Sequence, residues 1–368
     1  MSDNNKSGLS SLPERRSRGD ASVFTYNKPF RLESGALLNQ YHLAYTTLGE
    51  LNETKSNAVW IFHALTANSD PSEWWDGLVG EGKLFDPAHY FIVCVNMPGS
   101  AYGSIGPLDI NPLTNEPYYH DFPWFTTRDM IRAYDPLRKA LGIEKIHIGI
   151  GGSMGGQQLL EWAIEEPQLF EHIIPIATNA YHSAWGVAFN ASQRLAIEAD
   201  VTWKNKRADA GQAGLKAARS IALLSYRHYD AYGISQIEET NDMLEEFKAE
   251  SYQRYQGDKL VKRYNAFSYY FLGKAMDAHN VGRSRSSIEL ALKEITARTL
   301  VIGISNDLLF PISEQQFLAN TISGAHFKSI ESFYGHDGFL LEYDQLNKAI
   351  NNFLQQTQTT DFNKQLIK

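Results

Sequence analysis

The chain has 368 residues, a formal net charge of -8 and a pI near 5.8, so it lacks the basic stripe a phosphate backbone requires, and nucleic acid is excluded as a partner. No run approaches the roughly 18 apolar residues of a membrane span, and the opening segment lacks the apolar stretch of a secretory signal, so a soluble cytoplasmic protein is expected. Cys94 is the only cysteine, which rules out an internal disulfide and a cysteine-based zinc cluster, and its apolar neighbours mark it as a buried strand thiol.

Residues 1–20 are rich in Ser, Asn and Arg and bury too little apolar surface to offset ordering entropy, so a disordered tail is expected. From there to Pro175, short β-branched or aromatic runs alternate with helix-period stretches, the pattern of a doubly wound α/β sheet. Strands are predicted at 58–63, 90–96, 145–150 and 172–177. Helices are predicted at 127–141, with Gly142 as the stop, and at 157–165. Strand signals then vanish from about 184 to 292, where helices are predicted at 214–227, 236–255 and 264–278. Two further strands, 299–304 and 326–329, return with helices at 312–321 and 344–355. The expected division is a core of residues 21–183 and 293–368 with a helical cap, 184–292, inserted into it. No repeat of 20–50 residues interrupts this order.

The strand at 145–150 runs into Gly151-Gly152-Ser153-Met154-Gly155-Gly156 and then a helix, which gives G-x-S-x-G the strand, turn and helix it needs to expose a nucleophilic serine. The glycines allow backbones to approach closely, and the helix N-terminus favours developing negative charge. A serine hydroxyl is a poor nucleophile at neutral pH, so it needs a base, and the base needs a carboxylate to fix its tautomer. Asp307 directly follows the strand at 299–304, and His336 follows the next one, in the order Ser, Asp, His that this architecture uses. Asp121, Asp129 and Asp135 precede the serine and read as surface or cap carboxylates. His63 reads as structural or oxyanion-supporting. The loop His63-Ala64-Leu65-Thr66 lies where a second oxyanion N–H is contributed, so Leu65 and Met154 are the expected donors. The pair Trp74-Trp75 and the glycine-rich segment 96–107 read either as core and turn or as a pocket wall beside Ser153.

Taken with Glu73-Trp74-Trp75-Asp76, Tyr102-Gly103-Ser104, Asp109-Ile110-Asn111-Pro112, Asp121-Phe122-Pro123, Gln256-Gly257-Asp258-Lys259 and Gly335-His336-Asp337, these motifs resemble the homoserine O-acetyltransferase family over about residues 24–353. The resemblance implies an α/β-hydrolase fold with a mostly parallel sheet, helices on both faces and an all-helical cap. It implies ping-pong transfer of an acetyl group from acetyl-CoA to L-homoserine through acyl-Ser153, in methionine biosynthesis, with no permanently bound cofactor and no metal. It also carries an amino-acid clamp onto Arg219, Tyr226 and Asp337, where a guanidinium grips a carboxylate and an aspartate holds an ammonium, and it implies a homodimer joined through the cap helices. Without the resemblance, Arg219 reads as part of a solvated helix face. Pro98-Gly99-Ser100-Ala101-Tyr102 departs from the family's commoner Gly-Gly-Cys form, which leaves open acetyl- against succinyl-CoA and homoserine against serine. An esterase using the same triad, and a non-catalytic ligand-binding scaffold, are the competing readings.

Overall fold

The computed structural model describes residues 21–365; the segment expected to form a disordered tail, 1–20, lies outside them. Eight strands make one sheet: β1 (Ser22–Tyr26), β2 (Tyr41–Leu48), β3 (Ala58–Phe62), β4 (Phe91–Val95), β5 (Ile146–Gly152), β6 (Phe170–Ile176), β7 (Arg298–Ile304) and β8 (His326–Ile330). They lie in the order β1-β2-β4-β3-β5-β6-β7-β8. β2 runs antiparallel to both its neighbours, and every other pairing is parallel. The chain builds outward from β3 to β4 on one side and from β5 to β8 on the other. The crevice at the carboxyl ends of β3 and β5 is therefore where this topology leaves room for a ligand.

Both faces of the sheet are covered, so the inner strands read as continuous apolar runs instead of alternating ones. Trp60 and Phe62 of β3 point into one layer while Val59 and Ile61 point into the other, as a period of two requires. The first layer is closed by α1 (Thr127–Ala140) and α2 (Met154–Glu165), where Trp60 meets Trp162 edge-on at 5.0 Å. Thr126 and Asp129 form a capping box at the start of α1, which satisfies donors that would otherwise be orphaned. The second layer is closed by Leu346, Ile350 and Phe353 of the C-terminal helix Tyr343–Gln365.

Between β6 and β7 the chain is helical: α3 (Ala184–Glu198), α4 (Gln212–Tyr226), α5 (Tyr229–Ser235), α6 (Lys248–Val261), α7 (Ala266–Asp277) and α8 (Ile288–Lys293). A buried ionic network ties the end of this segment to the sheet's helices, with Arg128 and Arg285 both meeting the carboxylate of Glu161, and Arg128 also meeting Glu33. The helix expected at 236–255 is corrected: residues 236–247 are not helical, and α6 begins at Lys248. Glu238, Asp242 and Glu246 stand four apart, so a helix would stack like charges along one face, and Glu246 instead takes a left-handed φ of 61°.

Trp60 is 1 % exposed at the centre of the first layer. Trp60→Ala is expected to cost about 3–5 kcal/mol, seen as a lower urea midpoint with an unchanged slope.

Candidate active site

Ser153 occupies the one-residue corner between β5 and α2, with φ 56° and ψ -126°. Such a backbone costs a non-glycine residue roughly 1–3 kcal/mol and persists only where surrounding contacts over-determine it. Here the Ser153 N–H donates to the Ile176 carbonyl at 2.9 Å, and the Ser153 carbonyl accepts from Thr178 Oγ1 at 2.8 Å. The glycines on either side permit the approach. A Cβ at Gly151 would lie 2.7 Å from the Gly155 carbonyl carbon, and one at Gly156 would lie 2.6 Å from Thr178 Cγ2.

The other two members arrive from the ends of β7 and β8. Asp307 Oδ1 accepts the N–H groups of Leu309 and Phe310 at 2.8 and 2.9 Å, which fixes its second oxygen. That oxygen, Oδ2, accepts from His336 Nδ1 at 2.6 Å, and His336 Nε2 accepts from Ser153 Oγ at 3.0 Å. This assigns the Nδ1–H tautomer from the hydrogen-bond partners. All three side chains are buried. Burial pulls the His336 imidazole down, but the charge and hydrogen bond of Asp307 outweigh it, and the net shift is upward. Phe310 stacks on the ring at 5.1 Å and Phe339 meets its edge at 5.3 Å.

His63 is fully buried with both nitrogens used: Nδ1 donates to the Ala64 carbonyl at 2.8 Å and Nε2 accepts from the Met97 N–H at 3.0 Å. Burial holds its pKa down at about 4, so it stays neutral and braces the loop carrying Leu65. That loop is gripped again from the helical segment, where Tyr264 donates its hydroxyl to the Leu65 carbonyl at 3.1 Å and Arg263 donates to the Thr66 carbonyl. Leu65 lines the same cavity as Ser153, and Met154 is buried as the first residue of α2.

This cavity, about 620 Å³, is also lined by Trp74, Arg219, Tyr226 and Asp337. Arg219 and Tyr226 share a face of α4, with the guanidinium 5.5 Å from the ring centroid, and the Tyr226 ring lies 5.8 Å from that of His336. Asp337 Oδ2 pairs with Arg227 Nε at 3.0 Å. Burial pushes the Asp337 carboxyl up, and Arg227 and Arg219 partly offset it. Trp75, by contrast, is core, donating Nε1 to the Phe339 carbonyl at 2.8 Å.

Among the other carboxylates weighed from sequence, Asp129 caps α1, Asp135 pairs with Arg138 and Lys139, and Asp121 ends a 3-10 turn. Among the described residues, His147, Glu171 and His172 have metal-ligand spacing, but His147 lies at the end of β5 opposite to Ser153. Sequence reasoning passed over Arg227, which lacks any motif, and Glu314. Burial raises the Glu314 carboxyl to about 7, with a contribution from the Asp307 charge; it accepts from Asn179 Nδ2 at 2.9 Å.

The model of the alpha/beta hydrolase fold matches residues 57–343. A homoserine O-acetyltransferase of Cyclobacterium marinum is 46 % identical over 331 residues, covering 90 % of this chain and 94 % of that protein. The crystal structure of homoserine O-acetyltransferase from Bacillus anthracis superposes with a TM-score of 0.84 at 25 % identity, covering 91 % of this chain and 98 % of that one. An acetylester hydrolase from Corynebacterium glutamicum shares the fold with a TM-score of 0.81 at 24 % identity, over 92 % of this chain and 96 % of that one.

A base must be neutral to accept a proton, so acylation of Ser153 by an activated ester such as p-nitrophenyl acetate should fall on acidification through a midpoint above the ordinary histidine value. Asp307→Asn should slow that acylation by about 10⁴-fold and shift the midpoint down, as read from the pH profile of the acylation rate.

Proposed function

Since the chain belongs to the homoserine O-acetyltransferase family on the α/β-hydrolase fold, we propose that Ser153, His336 and Asp307 carry a two-step acetyl transfer from acetyl-CoA to L-homoserine. Ser153 Oγ attacks the thioester carbonyl while His336 Nε2 takes its proton, and the N–H groups of Met154 and Leu65 receive the oxyanion. Collapse of the tetrahedral adduct breaks the C–S bond, and the departing CoA sulfur takes the proton from His336. In the second half the homoserine hydroxyl gives its proton to His336 and attacks acetyl-Ser153. The serine oxygen then leaves and is reprotonated. Every proton is accounted for by His336 and the two substrates, so the chemistry calls for no metal and no permanently bound cofactor.

The observation that carries the reading is that Arg219 and Asp337 open into the cavity that holds Ser153. A cation for the α-carboxylate and an anion for the α-ammonium thus line the same cavity as the nucleophile, and the Tyr226 ring lies 5.5 Å from the Arg219 guanidinium and 5.8 Å from the His336 imidazole. An amino acid held at both ends brings its side-chain hydroxyl to the acyl-enzyme with little orientational freedom left to lose. Residues 184–292 act as the cap that keeps water from the acyl-enzyme while the acceptor binds. On this reading the substrates are small molecules and the setting is cytoplasmic. Among the described residues no helix is long and apolar enough to cross a membrane.

Leu195, Leu224 and Ile234 of the cap are more than half exposed, and we propose that a second copy of the chain covers them. Light scattering should then give twice the chain mass, and Leu224→Glu should shift it toward the monomer.

CoA release should be fast with acetyl-CoA and L-homoserine, and slow when succinyl-CoA or L-serine replaces either. Release indifferent to the amino acid would indicate a hydrolase instead. Ser153→Ala should abolish release. Arg219→Ala should raise the homoserine KM about 10–100-fold, the equivalent of losing a hydrogen bond to a charged group, with a much smaller effect on acyl-enzyme formation.

A further inference from the structure

The cap contributes a second set of cations to the cavity, and the acceptor clamp does not use them. Gln256, Lys259 and Arg263 follow one another at i, i+3 and i+7 along α6 and the turn after it, and all three line the cavity that contains Ser153. This spacing puts them in one stripe on one face. Lys259 and Arg263 are exposed, whereas Ser153 is buried, so the stripe marks the mouth and the serine the floor.

The charges of Lys259 and Arg263 are unspent. Three of the neighbouring cations near α6 are paired: Arg254 with Glu250, Lys248 with Glu239, and Lys216 with Asp258. Among the described residues, Lys259 has no such carboxylate. Arg263 binds only neutral oxygens, the Thr66 carbonyl and the Tyr102 hydroxyl, and both bonds use Nη1, leaving other N–H donors of its fork for a ligand. Four cations, Arg219, Arg227, Lys259 and Arg263, line the cavity against two carboxylates, Glu73 and Asp337. Asp337 is already paired with Arg227, and Glu73 accepts from Asn68 Nδ2 at 2.9 Å. A locally cationic mouth on a chain of net charge -8 points to an anionic ligand.

We propose that Lys259 and Arg263, with Gln256 beside them, bind the phosphates of the acyl-CoA donor at the cavity mouth while its thioester reaches Ser153. This rests on the reading that a CoA thioester acylates Ser153. A CoA thioester suits the geometry because its pantetheine arm separates an uncharged reacting end from a polyanionic one. Lysine supplies a point charge and arginine a fork, and both are established ways to hold phosphate. Since Arg263 also holds the loop bearing Leu65, Lys259 is the cleaner site to alter.

The test compares kcat/KM for acetyl-CoA with that for S-acetyl-N-acetylcysteamine, a thioester without phosphates, in the full-length protein. Lys259→Glu should cut the preference for acetyl-CoA over the short thioester by about tenfold or more, through KM. Lys259→Arg should restore it, and added salt should erode the wild-type preference more than that of Lys259→Glu. Equal losses on both thioesters, or no loss on either, would overturn the assignment. Failure of the wild type to form acetyl-Ser153 from either thioester would overturn the donor reading itself, and the phosphate site with it.

Discussion

Ser153 can meet His336 only because its backbone is held at φ 56° and ψ -126°, and most of the nearby sequence serves that corner. Gly151, Gly155 and Gly156 remove side chains that would collide with Phe62, Thr178 or one another. Ile176 and Thr178, from the end of β6, fasten the serine's own amide and carbonyl. The corner is thus a joint product of three neighbouring elements, β3, β5 and β6, and its strain is borne by a sheet buried on both faces. Relaxing the φ angle would withdraw the hydroxyl from the imidazole.

The charges in the site are arranged by the same logic. Asp307 is buried, and two backbone donors together with His336 satisfy its oxygens. A carboxylate held in this way fixes the tautomer and orientation of its partner imidazole. Around it the helical segment between β6 and β7 supplies the features the sheet lacks. Tyr264 and Arg263 brace the loop after β3, Arg219 and Tyr226 line the cavity that holds Ser153, and Arg227 pairs with Asp337. The sheet positions Ser153, Asp307 and His336, while the helical segment between β6 and β7 contributes Arg219, Tyr226 and Arg227 to the same cavity.

Much of this was legible from the chain because it rests on strong local signals. The inner parallel strands are largely apolar runs, with Ser153 directly after one and Asp307 shortly after another, while His336 follows the polar edge strand β8. Residues whose meaning depends on a distant partner were less readable. Arg227 makes sense only once Asp337 folds beside it, and Glu314 only once Asn179 and Asp307 surround it. The misread helix at 236–247 shows the opposite error, in which a locally helical composition is defeated by stacked carboxylates. Arg219 looked like a solvated position because helical periodicity records which face is polar, and a polar face turned into a cavity has the same pattern.

The most direct test is to mix the protein with acetyl-CoA alone, quench rapidly and map acetylation by mass spectrometry, before and after adding L-homoserine. The account predicts one acetyl group per chain on the Ser153 peptide, released with CoA in a stoichiometric burst, and discharged far faster by homoserine than by water. CoA release that begins only when homoserine is present, with Ser153 never acetylated, would contradict it.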